Sequence, residues 1–366
     1  MNYKPMRIIV TGGHHTPALA VMEELTKRGN FCFFWVGWAT QAEYRVIKKL
    51  DIPLFNLQAG KLYRTASVGQ IFKIPLGFFH AFYLLIKIRP RLIISFGGYL
   101  AAPVVLAGFL LRIPAVTHEQ TVVSGWANRF IGFFAKKVFV SWERSRQFFP
   151  RGKTVVTGNP VREAIFEVKT NRFRFPENLP TIYITGGKQG AHVINEVVRE
   201  ALSEFLSSYN VIHQTGFSEV YPDYQKILVL RRQLPKKLSR RYLVQEFFGD
   251  EEIGAVYKAA DLVVARAGAN TVVEAAALGK PAIFIPIPWA SHNEQMENAK
   301  LLERIGSARI LPQEKLSPSP LLKEVEWMVK NLKFYQERGE EAKKLVDPLA
   351  AKKIAEEIIK VIQIKP

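Results

Sequence analysis

Short β-branched or aromatic runs alternate with helix-like stretches along most of this chain. Residues 8–10 precede 17–28, residues 31–36 precede 42–50, residues 92–95 precede 101–111, and residues 114–117 precede 126–134, with 137–141 following. The rhythm breaks at 169–180, where polar residues and two prolines carry no clean period, and restarts with 181–185 before 189–206. Further strands are expected at 211–214, 242–244, 262–265 and 282–286, and an amphipathic terminal helix at 349–362. Strands alternating with helices form parallel sheets covered on both faces. The expectation is an α/β chain of two Rossmann-like halves, 1–165 and 181–345, joined by a linker at 166–180 and facing a cleft.

A length of 366 residues suits two ordinary domains better than one core. Hydrophobic residues make up 48%, which argues against disorder. Lysine and arginine total 51 against 32 acids, a formal net charge of +19, so a polyanionic partner is expected: nucleic acid, an anionic membrane or phosphorylated ligands. No nucleic-acid-binding motif accompanies the charge, so nucleic acid is not an expected partner. Cys32 is the single cysteine, which rules out an intramolecular disulfide and fits a reducing compartment. The apolar run 8–10 is too short for a signal-peptide core. The longest uncharged apolar stretch, 96–111, falls short of the ~20 residues that span a bilayer. A cytoplasmic protein that sits on a membrane without crossing it is expected.

Three glycine-rich strand-to-helix turns are candidate ligand sites. The first is Thr11-Gly12-Gly13-His14, before a helix that opens near Pro17. Glycine lets backbone approach a ligand closely, and a helix N-terminus favours anions. The second is Gly186-Gly187-Lys188-Gln189-Gly190-Ala191. It lacks the Lys-Ser/Thr pair of a Walker sequence, but its N–H groups and the Lys188 ammonium could cradle a diphosphate. The third, Arg266-Ala267-Gly268-Ala269-Asn270-Thr271, leads into a helix carrying Glu274, whose carboxylate suits sugar hydroxyls. Each has a plainer reading. A tight turn needs glycine without any ligand, and Glu274 could merely complement a helix dipole.

His118-Glu119-Gln120 follows the strand at 114–117, at the strand end where open α/β sheets bind ligands. A carboxylate can orient an imidazole for acid–base work, so Glu119 is a catalytic candidate; solvated or capping loop residues are the alternative. Gly97-Gly98-Tyr99 also follows a strand, and Gly158-Asn159-Pro160-Val161-Arg162 closes the first half. Neither a spaced His/Cys set nor an Asp-x-Asp pair occurs, so no metal and no cofactor are expected. Leaving-group charge would fall to helix N-termini and to bases such as Arg162 and Lys188. The run His292, Asn293, Glu294, Gln295 and Asn298 could bind sugar hydroxyls or simply begin a surface helix.

Between residues 70 and 91, Phe72, Phe78, Phe79 and Phe82 are interspersed with Lys73, Lys87 and Arg89. Aromatic anchors beside cations suit an interfacial segment on anionic lipid, where each base contributes about 1 kcal/mol. A buried helix with basic ends would have the same composition.

Taken in order, TGGHHTPALA at 11–20, GGYLAAP at 97–103, HEQ at 118–120, GNPVR at 158–162, GGKQGA at 186–191, HQTG at 213–216 and RAGANTVVE at 266–274 resemble the lipid II-forming N-acetylglucosaminyltransferases of glycosyltransferase family 28. The resemblance covers residues 11–311. It implies a GT-B fold whose terminal segment, 346–366, packs back on the first domain. It also implies inverting, metal-independent transfer of N-acetylglucosamine from UDP-GlcNAc to the 4-hydroxyl of MurNAc in undecaprenyl-diphosphate-MurNAc-pentapeptide (lipid I), on the anionic inner-membrane surface. The second domain would hold the donor and the first the acceptor. Thr11, Gly12, Gly13, Arg162, Phe248, Glu274 and Gln295 fall at donor-site positions, with Phe248 at uracil, Glu274 at ribose and Gln295 at the sugar. Thr121, Gly187, Lys188, Gln189, Gly268, Ala269, Asn270 and Thr271 complete the expected substrate site, and His14 stands at the position of the general base. Three features depart from the family pattern: Ile9 and Val10 replace two glycines, Thr121 replaces an asparagine, and Lys188 replaces a serine. The competing readings are a related transferase for another sugar and lipid, a UDP-GlcNAc hydrolase or 2-epimerase, and a degenerate UDP-sugar binder.

Overall fold

A computed structural model describes residues 4–37, 47, 50–57, 60, 68–218 and 220–363. The strands are β1 (Met6–Thr11), β2 (Phe31–Gly37), β3 (Leu54–Asn56), β4 (Leu92–Ser95), β5 (Ala115–Glu119), β6 (Lys137–Val140), β7 (Thr154–Val156), β8 (Thr181–Thr185), β9 (Asn210–Gln214), β10 (Tyr242–Gln245), β11 (Leu262–Ala265), β12 (Ala282–Phe284) and β13 (Ala308–Ile310). The described helices are α1 (His15–Thr26), α2 (Val68–Ile88), α3 (Ala101–Leu110), α4 (Trp126–Phe134), α5 (His192–Glu200), α6 (Leu202–Ser208), α7 (Asp223–Gln233), α8 (Lys236–Ser239), α9 (Ile253–Ala259), α10 (Ala269–Ala277), α11 (Glu294–Ile305), α12 (Pro318–Lys330), α13 (Leu332–Lys343) and α14 (Ala350–Gln363). The helix expected at 42–50 falls largely outside the described residues.

The chain divides into two compact units, Met1–Arg162 with Asp347–Pro366, and Glu163–Val346. In the first, the sheet order is β3-β2-β1-β4-β5-β6-β7, all parallel. In the second it is β10-β9-β8-β11-β12-β13, again all parallel. Strand order reverses between β1 and β4 in one unit and between β8 and β11 in the other. At such a switch point the loops leaving the carboxyl ends diverge, which opens a crevice there.

Successive side chains of a strand face opposite ways, so a strand covered on both sides must be apolar throughout. Ile8 and Val10 pack with Ala18, Val21, Met22 and Leu25 of α1 and with Ile354, Ala355 and Ile358 of α14. Ile9, between them, packs on the other face with Leu84 and Leu85 of α2 and Val104 and Val105 of α3. In the second unit, Ile182 and Ile184 of β8 join Ile194 and Val198 of α5 and Leu321, Val325 and Met328 of α12.

Several boundaries differ from expectation, and two of the differences have a local cause. The helix expected from residue 189 starts at His192, because Gly190 takes a left-handed φ of +77° that no helix accommodates. His118 and Glu119 belong to β5 rather than to a loop, because the ladder continues past Thr117: Ser141 N–H donates to Glu119 O at 3.0 Å.

Candidate active site

In the first unit, the turn after β1 is pressed against the turn after β4. A Cβ on Gly12, whose φ is +125°, would lie 2.7 Å from Gly97 O and 2.8 Å from the Phe96 carbonyl carbon. Only glycine permits that approach. Thr11 is fully buried, and its Oγ1 has no hydrogen-bond partner among the described residues. His14 follows at the N-cap of α1, in extended backbone and half-buried. Burial, and then the neighbouring His15, lowers its pKa to about 4. The imidazole is therefore neutral at pH 7 and can accept a proton.

His118 and Glu119 do not pair, because adjacent strand residues turn to opposite faces. His118 Nε2 lies 3.1 Å from Gly158 O, and its Nδ1 lies 3.1 Å from the Gln120 amide nitrogen, which also donates to His118 O. An amide NH₂ aimed at Nδ1 assigns the ring proton to Nε2, which donates to Gly158. Burial, with a smaller contribution from His14, lowers the His118 pKa to about 4 against the opposing Gly158 bond. Glu119 is buried among four donors instead. They are Thr121 N at 3.0 Å and Thr121 Oγ1 at 2.8 Å on one oxygen, with Ser124 Oγ at 2.6 Å and Asn128 Nδ2 at 2.8 Å on the other. Asn128 Oδ1 accepts from Thr117 Oγ1 at 3.1 Å. The carboxylate thus ties the loop after β5 to α4, and Thr121 serves that tie. Ser124 and Asn128 have no distinguishing local pattern in the sequence. Arg162, half-buried, is the last residue of this part of the unit.

In the second unit, the loop 186–191 packs backbone to backbone on the turn after β9. A Cβ on Gly190 would fall 2.1 Å from Thr215 O, and one on Gly216 would fall 2.0 Å from Gly190 N. Gln214 joins three elements. Its Nε2 donates to Thr185 Oγ1 at 2.9 Å and to Gly187 O at 3.2 Å, while its Oε1 accepts Phe248 N–H at 3.0 Å. The Phe248 ring is fully buried, edge-on to Phe173 and Tyr183. Lys188 is half-buried and Gln189 exposed.

On the other side of this switch point, Gly268 caps α10, and a Cβ there would meet nothing within 4 Å. Ala269 is buried; Asn270 and Thr271 are half-buried in the first turn. Glu274 lies beyond that turn, where the helix dipole no longer explains an acid. It is buried, and Tyr257 Oη donates to its Oε2 at 2.9 Å. The Arg266 guanidinium is buried against Ile285 O at 2.9 Å and Gln313 Oε1 at 2.6 Å, and burial lowers its pKa to about 10. Gln295 Oε1 accepts Ile287 N–H at 3.1 Å, which holds the loop after β12 to α11.

The aromatic segment is helical, and its phase divides the expected anchors. Phe78 and Phe82 are half-buried against the core with Leu85, one and two turns along the inner face of α2. Phe79 is exposed, as are Leu76, Tyr83 and Ile86, and so are Lys73, Lys87 and Arg89. The Phe72 side chain lies outside the described residues. α2, α3 and α4 pack side by side, and the last two add exposed Phe109, Leu110, Trp126, Phe130 and Phe133. Among the described residues, no helix is long and apolar enough to cross a membrane.

Residues 7–140 match the glycosyltransferase family 28 N-terminal domain, and residues 181–358 match the family's C-terminal domain. The UDP-N-acetylglucosamine–N-acetylmuramyl-(pentapeptide) pyrophosphoryl-undecaprenol N-acetylglucosamine transferase 2 of Bacillus thuringiensis subsp. konkukian (strain 97-27) is 34% identical over 345 residues, covering 90% of this chain and 93% of its own. The crystal structure of Acinetobacter baumannii MurG matches with a TM-score of 0.69 at 30% identity, over 97% of this chain and 100% of that one. A UDP-GlcNAc 2-epimerase from Neisseria meningitidis, solved with UDP-GlcNAc, has a TM-score of 0.65 at 16% identity over 97% of this chain and 100% of its own, a likeness of fold alone. With both domains matched and its relatives similar along nine-tenths of its length, this chain belongs to glycosyltransferase family 28, among the MurG enzymes, and has their GT-B fold.

Proposed function

We propose that this chain transfers N-acetylglucosamine from UDP-N-acetylglucosamine to the 4-hydroxyl of MurNAc in lipid I, with inversion and without a metal. The observation that carries the reading is the Gln214 junction. One side chain links the glycine-rich loop to the Phe248 backbone at a topological switch point, in a chain 34% identical to a named N-acetylglucosamine transferase.

The second unit is the donor domain. The Phe248 backbone meets uracil, Glu274 held by Tyr257 binds ribose, and Gln295 meets the sugar. The N-termini of α5 and α10, with Gly187, Lys188 and Gln189, hold the diphosphate and stabilise its growing charge as UDP leaves. The acceptor oxygen attacks the anomeric carbon from the opposite side, so the new C–O bond forms as the bond to UDP breaks. The acceptor's proton passes to His14. Glu119 acts by positioning the loop after β5 and not by proton transfer.

The exposed stripe of Leu76, Phe79, Tyr83 and Ile86, flanked by Lys73, Lys87 and Arg89, supports docking on the cytoplasmic face of an anionic membrane. Phe79→Ser with Tyr83→Ser should lower co-sedimentation with phosphatidylglycerol vesicles and leave UDP binding unchanged.

The test is transfer from UDP-GlcNAc to a short-chain lipid I analogue, with EDTA present, followed by mass. A disaccharide product is expected. No product, with UDP still bound by calorimetry, moves the sugar or the acceptor to a related transferase; no UDP binding overturns the donor site.

A further inference from the structure

Directly behind the glycine-rich loop, α5 and α7 bring together His192, Glu196 and Asp223, one ligating atom of each lying within 4.8 Å of the others. His192 and Glu196 are one turn apart on a single face of α5, and Asp223 opens α7. Asp223 is buried, with Oδ2 accepting from Asn195 Nδ2 at 2.8 Å and Oδ1 meeting His192 Nδ1 at 2.8 Å. Tyr221 stacks on the His192 ring, with centroids 3.7 Å apart and planes within 5°. Behind them, Asn195 Oδ1 accepts from His213 Nε2 at 3.0 Å, and His213 Nδ1 faces the Tyr242 hydroxyl at 2.8 Å. A carboxylate oriented from behind by an amide is the kind of outer support that metal ligands use.

We propose that His192, Glu196 and Asp223 form a site for one divalent transition-metal ion, with zinc the best fit, that clamps α5 to α7. One imidazole nitrogen and two carboxylate oxygens suit zinc better than calcium or magnesium, which take oxygen alone. Tetrahedral zinc, with bonds of about 2.0–2.2 Å, sets its ligand atoms about 3.4 Å apart. The His192–Asp223 pair, at 2.8 Å, opens slightly to admit the ion. Glu196 closes in by leaving Arg199, now 2.8 Å away, a partly exposed ion pair that contributes little. The two carboxylates neutralise an ion lying beside two helix N-termini. α5 begins directly after Ala191, so the clamp steadies the helix behind the glycine-rich loop without entering the transfer reaction. Sequence alone conceals the site, because Asp223 is far along the chain from the other two.

The experiment is calorimetric titration of the full chain with zinc chloride, with thermal unfolding followed in parallel. One ion per chain and a raised unfolding temperature are expected. His192→Gln and Glu196→Gln change half-buried positions, and each should weaken binding at least about tenfold. Arg199→Gln releases Glu196 and should tighten binding severalfold. Binding that His192→Gln leaves unchanged, or that Arg199→Gln weakens, overturns the assignment. So does weak uptake of several ions per chain, the behaviour of an adventitious ion only, or no uptake at all. Asp223→Asn is a poor probe, since losing that buried carboxylate would destabilise the unit by itself.

Discussion

Replacing Glu119 by glutamine separates a carboxylate that holds a loop from one that works in the chemistry. The substitution keeps the shape and removes a charge and one acceptor. With its oxygen toward Thr121, the new amide still meets the Thr121 N–H and hydroxyl. Its NH₂ then faces Ser124 and Asn128. The Ser124 hydroxyl can rotate and accept, but Asn128 cannot, because its oxygen is engaged by Thr117. One charge-assisted hydrogen bond is lost, about 1.5–3 kcal/mol, and one buried donor is left unmet, about 1–3 kcal/mol more. At about 2–4 °C per kcal/mol for a unit of this size, the first unit's transition should fall by roughly 5–24 °C. Scanning calorimetry of the full chain measures this, with UDP added to mark the second unit's transition by raising it. Turnover well below the transition should fall only modestly. An unchanged transition with turnover down about 100-fold or more, the range of a lost general acid or base, would refute the positioning role.

Acid should destabilise both units. Burial holds His118 near a pKa of about 4 and His213 near about 3, while the unfolded chain titrates near 6.5. The unfolded state therefore takes up protons that the native state refuses. Stability present above pH 6.5 is lost as pH falls toward the folded values, by up to about 1.4 kcal/mol per pH unit for each histidine. Urea midpoints that stay flat between pH 6.5 and 4 would contradict this. Tyr257→Phe removes the hydroxyl that holds Glu274 and should weaken UDP binding about fivefold, the equivalent of about 1 kcal/mol. Unchanged affinity would remove Glu274 from the donor site. Gly216→Ala sets a methyl 2.0 Å from Gly190 N and should abolish UDP binding while sparing the first unit's calorimetric transition; normal UDP affinity would mean that the two turns yield easily.

What the sequence discloses depends on how local the cause is. Residues 8–10 of β1, 92–94 of β4 and 182–184 of β8 read clearly because both faces are buried there, so the apolar run is uninterrupted. β3, β7 and β13 are three residues long, too short for any period, and are defined only by the strand beside them. The apolar spacing of Leu321, Val325 and Met328 is helical and readable, although no helix is expected there from strand alternation alone. The turns at Gly12 and Gly190 are legible because a positive φ and a close backbone approach admit little else there, whereas Gly268 has neither constraint. The surroundings of His118 and Glu119 are not legible, because Gly158 comes 40 residues after His118 and Asn128 arrives from the helix after the strand. Aromatic content between 70 and 91 is legible, but its direction is not. Only the phase of α2 separates inward Phe78 and Phe82 from outward Phe79.

The return of α14 to the sheet of β1 has a consequence for how the protein is born. Glu163–Val346 lies as an insertion within the chain of the other unit. As the polypeptide leaves the ribosome, the inserted unit is complete first, although its partner started earlier. The sheet face at Ile8 and Val10, covered early by α1, stays incompletely covered until Ile354, Ala355 and Ile358 emerge. At about 5–20 residues per second, making the insertion takes roughly 10–40 s. Throughout that interval the first unit waits unfinished and adhesive, and at its end the nascent chain carries a finished domain behind it. Synthesis halted before Asp347 would release a molecule with one sound half and one that cannot close.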